Sequence, residues 1–205
     1  MKKIILPTIL LVLLSGAGCS PAKNTPTITA TTPVPPAITI YGEKHMAEIK
    51  TLNKAIESTP ENVDLYMQRG VAYKNLIMAQ SVSSRGDDYA DVPNWVARAR
   101  ADFDTVLRLD PKNARAYFER GTPPAESTST EENIRDLTSA IAIDPSNSDY
   151  YYYRGLNEVD ATKLDDAVQD FSRALQYTGG TVSLGDIKDK RDQVRAILQE
   201  KVERR

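Results

Sequence analysis

The chain has 205 residues, a formal net charge of −2, one histidine and one cysteine. A lone histidine, His45, and a lone cysteine exclude a Cys/His nucleophile pair and a zinc site built from several histidines. The balanced charge provides no basic surface of the kind that binds nucleic acid. We therefore expect no catalytic or metal site, no cofactor, no small-molecule substrate and no nucleic-acid partner.

The first residues, 1–18, have the pattern of a secretory signal peptide, with two lysines, an apolar run over 4–14 and then small residues. Cys19 follows directly, which resembles the processing site of bacterial lipoproteins. The resemblance implies that Cys19 carries lipid, palmitate included, and that the mature protein is anchored to a membrane outside the cytoplasm. Lipoproteins usually have leucine where Gly16 stands, so ordinary cleavage near Ala17, giving a secreted protein, stays open as the alternative.

Residues 19–40 hold the predicted lipidation site and a tether. The stretch 21–40 contains five prolines and six threonines and has no amphipathic period. This composition cannot bury a core, and it predicts a partly extended tether that holds the following domain away from the membrane. Ser20, after the cysteine, resembles the pattern that sorts lipoproteins to the outer membrane in bacteria with two membranes.

The remaining residues, 41–205, contain an internal repeat with a period of 34 residues. An Arg-Gly pair, with a tyrosine four residues before the glycine, recurs at Gly70, Gly121 and Gly155. The last two glycines are 34 residues apart, and the first two are separated by 17 residues more. This period is typical of helix–turn–helix solenoids.

Each repeat has the pattern of two helices. In the last repeat Tyr151 and Gly155 share one face of the first helix, so the tyrosine-rich stretch around them is predicted to be a turn of helix. In the second helix, an apolar stripe begins at Ala167 and includes Phe171. Three asparagines at equivalent positions before the first helices are predicted N-caps: Asn62, Asn113 and Asn147.

These repeated positions resemble the tetratricopeptide repeat (TPR) family. The matching residues are the tyrosines and glycines of the first helices, the apolar residues of the second helices and the prolines after them: Tyr66, Tyr117, Tyr151, Gly70, Gly121, Gly155, Ala99, Ala167, Phe103, Leu137, Phe171, Ala140, Ala174, Pro111 and Pro145. The resemblance implies an all-α solenoid of helix–turn–helix repeats. It is specific for the fold and weak for the function.

The domain 41–205 divides into an opening half-repeat, three repeats and a capping helix: 43–60, 62–111 with an insertion near 81–94, 113–145, 147–180 and 184–205. In the middle repeat, Thr122 and the two prolines after it are predicted to stop the first helix early. The next helix is predicted to be capped by Ser129 or Thr130.

Arginines and aspartates recur in phase with the repeats: Arg69, Arg120 and Arg154, and Asp102, Asp136 and Asp170. Because both series keep the repeat period, we expect ion pairs between neighbouring helices. A clamp for the carboxylate of a bound peptide is the alternative.

In TPR arrays the groove lined by the first helices usually binds extended peptides or partner helices, so the resemblance implies a binding face here. Carried over by register, that face holds eight residues: Met67, Val71, Lys74, Phe118, Thr122, Tyr152, Leu156 and Val159. The alternative is that several of them pack against the insertion or the capping helix. Tyr150 and Tyr153 are expected beside the groove or on the outer surface.

The predicted function is that of a non-catalytic protein–protein interaction adaptor, a membrane-anchored TPR lipoprotein that captures a peptide or partner helix in its concave groove. A structural or assembly subunit of pilot type, joined to an envelope complex through residues 81–97, is the first alternative. A hydrolase with a pair of carboxylates is the second. Trp95 either fastens the insertion to the array or forms a second contact patch.

Overall fold

The computed structural model of the protein describes residues 36–83, 92–123 and 129–204. The described residues form eight helices and contain no strand: α1 (Pro36–Ser58), α2 (Val63–Ser83), α3 (Val92–Leu109), α4 (Ala114–Gly121), α5 (Thr130–Ile143), α6 (Ser148–Asp160), α7 (Leu164–Ala174) and α8 (Leu184–Glu203). The all-α prediction is confirmed. None of the helices in this described part is long and apolar enough to span a membrane. The predicted signal peptide and Cys19 lie outside the described residues.

The opening half-repeat is one helix that starts earlier than predicted. α1 begins at Pro36, so the last part of the predicted tether, 36–40, is helical. Proline is tolerated in the first turn of a helix, because the N–H that it lacks would have no helical partner there. Further along α1, Ile49 and Leu52 are buried in contact with α2. The half-repeat therefore packs on the first helix of the next repeat.

The predicted insertion near 81–94 includes parts of two helices. α2 continues to Ser83 and α3 begins at Val92, while residues 84–91 lie outside the described part of the chain. Trp95, in the first turn of α3, is half-buried and packs against the core around Phe103. Its ring therefore holds the start of α3 on the array.

Polar side chains cap the helices where the sequence predicts caps. The Oδ1 atoms of Asn62, Asn113 and Asn147 accept from backbone N–H groups in the first turns of α2, α4 and α6 at 3.0–3.1 Å. α5 is capped by Ser129, whose Oγ accepts from the N–H of Glu132 at 3.2 Å. These bonds satisfy N–H groups that have no partner inside their own helix.

Two clusters of buried side chains lie along the array. The first-repeat cluster is formed by α1, α2, α3 and the start of α4 around Phe103. The last-repeat cluster is formed by α6, α7 and α8 around Phe171, with Ile187 and Val194 of α8 fully buried. α8 therefore covers an apolar face that would otherwise meet water, which is the role of a capping helix.

The repeated glycines allow the two helices of a repeat to approach closely. A Cβ atom at Gly70 would lie 2.6 Å from Cε1 of Phe103, and one at Gly155 would lie 2.8 Å from Cε1 of Phe171. Both rings are fully buried and have little room to move aside. The aromatic ring of the second helix thus rests against the bare backbone of the first.

The arginines and aspartates form the predicted ion pairs. Each arginine of the first helices donates from Nε and Nη2 to both oxygens of an aspartate on the second helix of its repeat, at 2.6–2.9 Å: Arg69 to Asp102, Arg120 to Asp136 and Arg154 to Asp170. From Nη1 each also donates to the second helix of the preceding repeat: to Asn53, Asp104 and Thr138, respectively. The guanidinium groups join three helices and are engaged within the array.

The middle repeat has a short first helix, as predicted. α4 has 8 residues and ends at Gly121, whereas α6 in the last repeat has 13. Thr122 and Pro123 come after α4 in non-helical conformation. Nζ of Lys74, in the middle of α2, donates to the carbonyl oxygen of Glu119 near the end of α4. The end of α4 therefore lies beside the middle of α2.

Candidate functional site

A groove of about 620 Å³ opens between α2, α4 and the start of α6. It is lined by side chains of these helices and of the segment before α8: Val71, Lys74, Asn75, Met78, Arg115, Phe118, Glu119, Thr122, Asn147, Asp149, Tyr150, Tyr153 and Thr181. The first helices of three successive repeats thus contribute to one concave surface.

Three aromatic rings form the apolar part of the groove. The ring centroid of Phe118 lies 5.1 Å from that of Tyr150 and 5.4 Å from that of Tyr153. Tyr150 is buried, whereas Phe118 and Tyr153 are half-buried and keep part of their surface in the groove. Burial raises the pKa of both tyrosines, so their hydroxyl groups stay neutral and can donate or accept hydrogen bonds. We call these three residues the aromatic cluster.

Lys74 crosses the floor of the groove from α2 to the end of α4. Its Nζ donates to Oε2 of Glu119 at 2.7 Å, and to the carbonyl oxygen of Glu119 and Oγ1 of Thr122 at 3.0 Å. Burial lowers the pKa of Lys74, and the Glu119 carboxylate opposes this effect. A cation beside the last carbonyls of a helix is favourable, because these carbonyls have no partner inside the helix. Lys74 therefore stabilises the end of the short α4.

The charges that line the groove differ in how far they reach water. Lys74 and Glu119 pair with each other and are largely shielded. Arg115 at the edge has a side chain that is 64% exposed, with only a long contact of 3.6 Å from Nε to Oε1 of Glu119. An exposed pair of this kind contributes little to stability. Arg115 is thus the lining charge best placed to meet a partner.

Asp149 closes the far end of the groove. Its buried carboxylate accepts from the N–H and Oγ1 of Thr181 at 2.8 Å and from the N–H of Val182 at 3.0 Å. A Cβ atom at Gly180 would overlap Oδ1 of Asp149, so only glycine fits beside the carboxylate. These contacts hold the segment before α8 against the start of α6. The sequence shows Asp149 only as an acidic residue in a first helical turn, so its part here was not predicted.

Comparison with known proteins identifies the fold. No protein-family model matches the chain, and no curated protein matches its sequence. A thermophilic TPR protein from Thermus thermophilus superimposes with a TM-score of 0.58 at 16% identity, covering 72% of this chain and 71% of that one. MamA does so with a TM-score of 0.53 at 21% identity, covering 79% of this chain and 92% of that one. The fold is that of a TPR solenoid. At these identities the comparisons establish the fold alone.

Four of the eight residues predicted for the binding face of the TPR solenoid lie together in the groove: Val71, Lys74, Phe118 and Thr122. Val71 and Phe118 contribute apolar surface. Nζ of Lys74 donates a hydrogen bond to Oγ1 of Thr122 at 3.0 Å, just after the last residue of α4. The groove also contains charged residues that the register did not predict: Arg115, Glu119 and Asp149.

The other four predicted residues lie elsewhere, which corrects the expected binding face. Met67 is buried in the first-repeat cluster. Tyr152, Leu156 and Val159 pack against the last-repeat cluster, to which α8 contributes. The alternative that some of these side chains pack against the capping helix describes these three. These three side chains are half-buried, and α8 comes after α7 where another repeat would stand.

Tyr150 and Tyr153 take the place in the groove that was predicted for Tyr152. They are three residues apart and share one helix face, whereas Tyr152 points away from it and contacts Phe171, with 5.8 Å between ring centroids. Phe118 occupies the same repeat position as Tyr152, and it contacts α6 because α6 is the next first helix. The signal that could have found the pair is this spacing, combined with the contact between successive first helices.

The described residues offer no donor set for metal chemistry. Within 36–83, 92–123 and 129–204, no group of three or more His, Cys, Asp or Glu side chains is placed to hold a metal ion. His45 lies on α1, with 3.2 Å between its Nδ1 and Oε2 of Glu48. What the groove presents is a surface for binding.

Proposed function

We propose that this TPR solenoid is a non-catalytic adaptor that captures a protein segment, either an extended peptide or a partner helix, in the groove between α2, α4 and α6. The observation that carries the proposal is the aromatic cluster, which is held in place by packing and yet keeps apolar surface open in a concave site. Aromatic side chains in such positions are typical anchors of protein interfaces.

The chemistry of the groove favours one kind of partner segment. An aliphatic or proline side chain would pack on Phe118 and Tyr153, whose hydroxyl can reach the backbone of the segment. A carboxylate on the same segment would meet Arg115, which is the most exposed charge of the groove wall. Met78, at the other edge and 58% exposed, adds an adaptable apolar contact. The preferred partner is therefore apolar with an acidic residue beside the anchor.

The proposal includes a lipid anchor at Cys19 and a location outside the cytoplasm, on the outer membrane where the organism has two membranes. Its support is the sequence pattern of 1–18 and the cysteine directly after it. A tether over 21–35 would let the solenoid meet partners at some distance from the membrane surface. Capture would then be confined to proteins of the same envelope compartment.

A structural subunit of an envelope assembly is the second candidate, because the array has another recess. Met46, half exposed, and Trp95 line a hollow of about 550 Å³ on α1, α2 and α3, together with Tyr73 and Arg98. The residues that line this recess are different from those that line the groove, so the two candidates place the partner on different side chains.

Site-specific photo-crosslinking in cells separates the two candidates. A crosslinking amino acid at Asn75, exposed in the groove, should trap a defined envelope protein, and the same group at Met46 should not. A matched position at Glu61, exposed and outside both recesses, is the control. A product from Met46 alone would favour the assembly subunit. In the same cells, the protein should incorporate radiolabelled palmitate and Cys19→Ala should not, and equal labelling of the two would contradict the lipid anchor.

A further inference from the structure

A buried glutamate distinguishes the last repeat from the first. Glu158 stands three residues after the repeat glycine Gly155, where Tyr73 stands three residues after Gly70. The two side chains are buried alike, since the residues are 7% and 5% exposed. An ionisable group therefore occupies a position of the array that a neutral phenol fills elsewhere.

Few contacts offset the cost of burying the carboxyl group of Glu158. Its Oε1 lies 4.0 Å from Nε of Arg154, but that nitrogen donates to Asp170 at 2.6 Å. Its Oε2 is buried and, in the described part of the chain, makes no hydrogen bond. Glu158 also lies in the last turn of α6, where the helix dipole disfavours a negative charge. A carboxylate here lacks the contacts that a buried charge requires.

The charged groups around Glu158 are one arginine and two aspartates. Arg154 lies on its own helix, and Asp170 and Asp166 face it from α7. Two acidic side chains of α5, which also packs on α6, pair with arginines of earlier helices: Glu132 with Arg100, and Asp136 with Arg120. The third, Glu131, is exposed. When Glu158 is ionised, one guanidinium therefore faces several carboxylates.

The first repeat has the same ion pair without the extra carboxyl. Arg69 holds Asp102 with the geometry that Arg154 has toward Asp170. The hydroxyl of Tyr73 accepts from Nη1 of Arg98 at 3.4 Å. The pair Arg69–Asp102 therefore has no second carboxyl group at the position that Glu158 occupies in the last repeat.

We propose that Glu158 makes the packing of α6 on α7 sensitive to pH around neutrality: the protonated carboxyl fits the site, and its ionisation introduces a charge that competes with Asp170 for Arg154. Burial, and then repulsion from Asp170, raise the pKa of Glu158 to about 7. Because the folded-state pKa is raised, the stability from this group is present below the ordinary glutamate pKa, about 4.3, and is lost as the pH rises through about 7.

The device acts on α6, the helix that carries Tyr150 and Tyr153. A tighter α6–α7 contact in mildly acid surroundings would hold these tyrosines and the α8 cap more firmly, and a looser contact in mildly alkaline surroundings would release them. The inference does not depend on what the groove binds, since it concerns the stability of the last repeat.

Two measurements on the full-length protein in detergent test the proposal. The carboxyl carbon of Glu158, followed by NMR, should titrate with a midpoint close to pH 7, and a midpoint below about pH 6 would overturn the proposal. Thermal unfolding between about pH 4.5 and 8 should show the melting temperature of the wild type falling by several degrees more than that of Glu158→Gln.

The controls separate the charge from a general effect of substitution. Glu61→Gln changes an exposed glutamate and should reproduce the wild-type pH dependence. Glu158→Tyr introduces the residue found at this position in the first repeat. Like Glu158→Gln, it should reduce the pH dependence of the melting temperature. It can replace Glu158→Gln if that variant does not fold. Parallel melting curves for the wild type and both Glu158 variants would contradict the proposal.

Discussion

The first and last repeats are built on the same contacts but differ in charge and in the helix that packs after them. In both, an aromatic ring packs on a glycine, and an arginine joins three helices. The first repeat adds Tyr73 and is followed by another first helix, whereas the last adds Glu158 and is followed by α8. The recurring contacts set the architecture, and the positions that vary between repeats adjust what each repeat can do.

The largest difference between the repeats should appear when the aspartate of the ion pair is removed. Asp102→Ala leaves Arg69 half-buried without its carboxylate and should lower the free energy of unfolding by about 3 kcal/mol. Asp170→Ala should cost clearly less near pH 7, because the Glu158 carboxylate can then pair with Arg154. Urea denaturation of both variants measures the difference.

Glu158 provides the control for this prediction. In a Glu158→Gln background, Asp170→Ala should lower the free energy of unfolding by as much as Asp102→Ala does. Equal costs in both backgrounds would mean that Glu158 does not substitute for Asp170.

A smaller and equal effect in both repeats is expected for the glycines. Gly70→Ala and Gly155→Ala each place a methyl group inside the contact distance of a buried phenylalanine ring and should destabilise by about 1–3 kcal/mol. Gly185→Ala is the matched control, since a Cβ atom there meets only Ser183 Oγ at 3.8 Å. Alanine in that helix should be neutral or stabilise by about 0.5–1 kcal/mol. If Gly185→Ala destabilised the protein as much as Gly70→Ala and Gly155→Ala do, the loss would come from the helix backbone and not from crowding of the phenylalanine rings.

The smallest effect on stability, and the largest on binding, is expected at Tyr153. Tyr153→Ala should cost about 1 kcal/mol, because the ring is half-buried, while abolishing crosslinking from Asn75. Tyr152→Ala changes a neighbouring ring that packs on Phe171, and it should reduce stability by more while leaving capture in place. The reverse result would move the binding face to the side of α6 that carries Tyr152.

The sequence predicted the fold well because the relevant forces act over short distances along the chain. Asparagine caps, the early stop after Thr122 and the apolar stripes of the second helices depend on residues within one or two helical turns. The in-phase series of arginines and aspartates added the contact between helices, since a shared period implies a shared partner. The start of α1 was misplaced, because proline and threonine composition favoured a tether where Pro36 begins a helix.

The binding groove was predicted only in part. Val71 and Phe118 lie in it as expected, but Tyr152 faces the last-repeat cluster and Met67 lies in the first-repeat cluster. The repeat register identifies equivalent positions on the first helices. It does not tell which other helix packs against each position. Asp149 and Glu158 were missed for the same reason, since a carboxylate in a helical turn looks solvated until its neighbours are known.

The sequence by itself determined a solenoid of two-helix repeats, because glycine, aromatic and capping positions recur with one period and each acts through local geometry. Only the tertiary structure decided which tyrosines of the four-residue run face the groove and which carboxylates are buried. The physical reason is that other helices supply those surroundings: Phe118 of α4 contacts Tyr150 and Tyr153, Phe171 of α7 contacts Tyr152, and Asp170 shares Arg154 with Glu158.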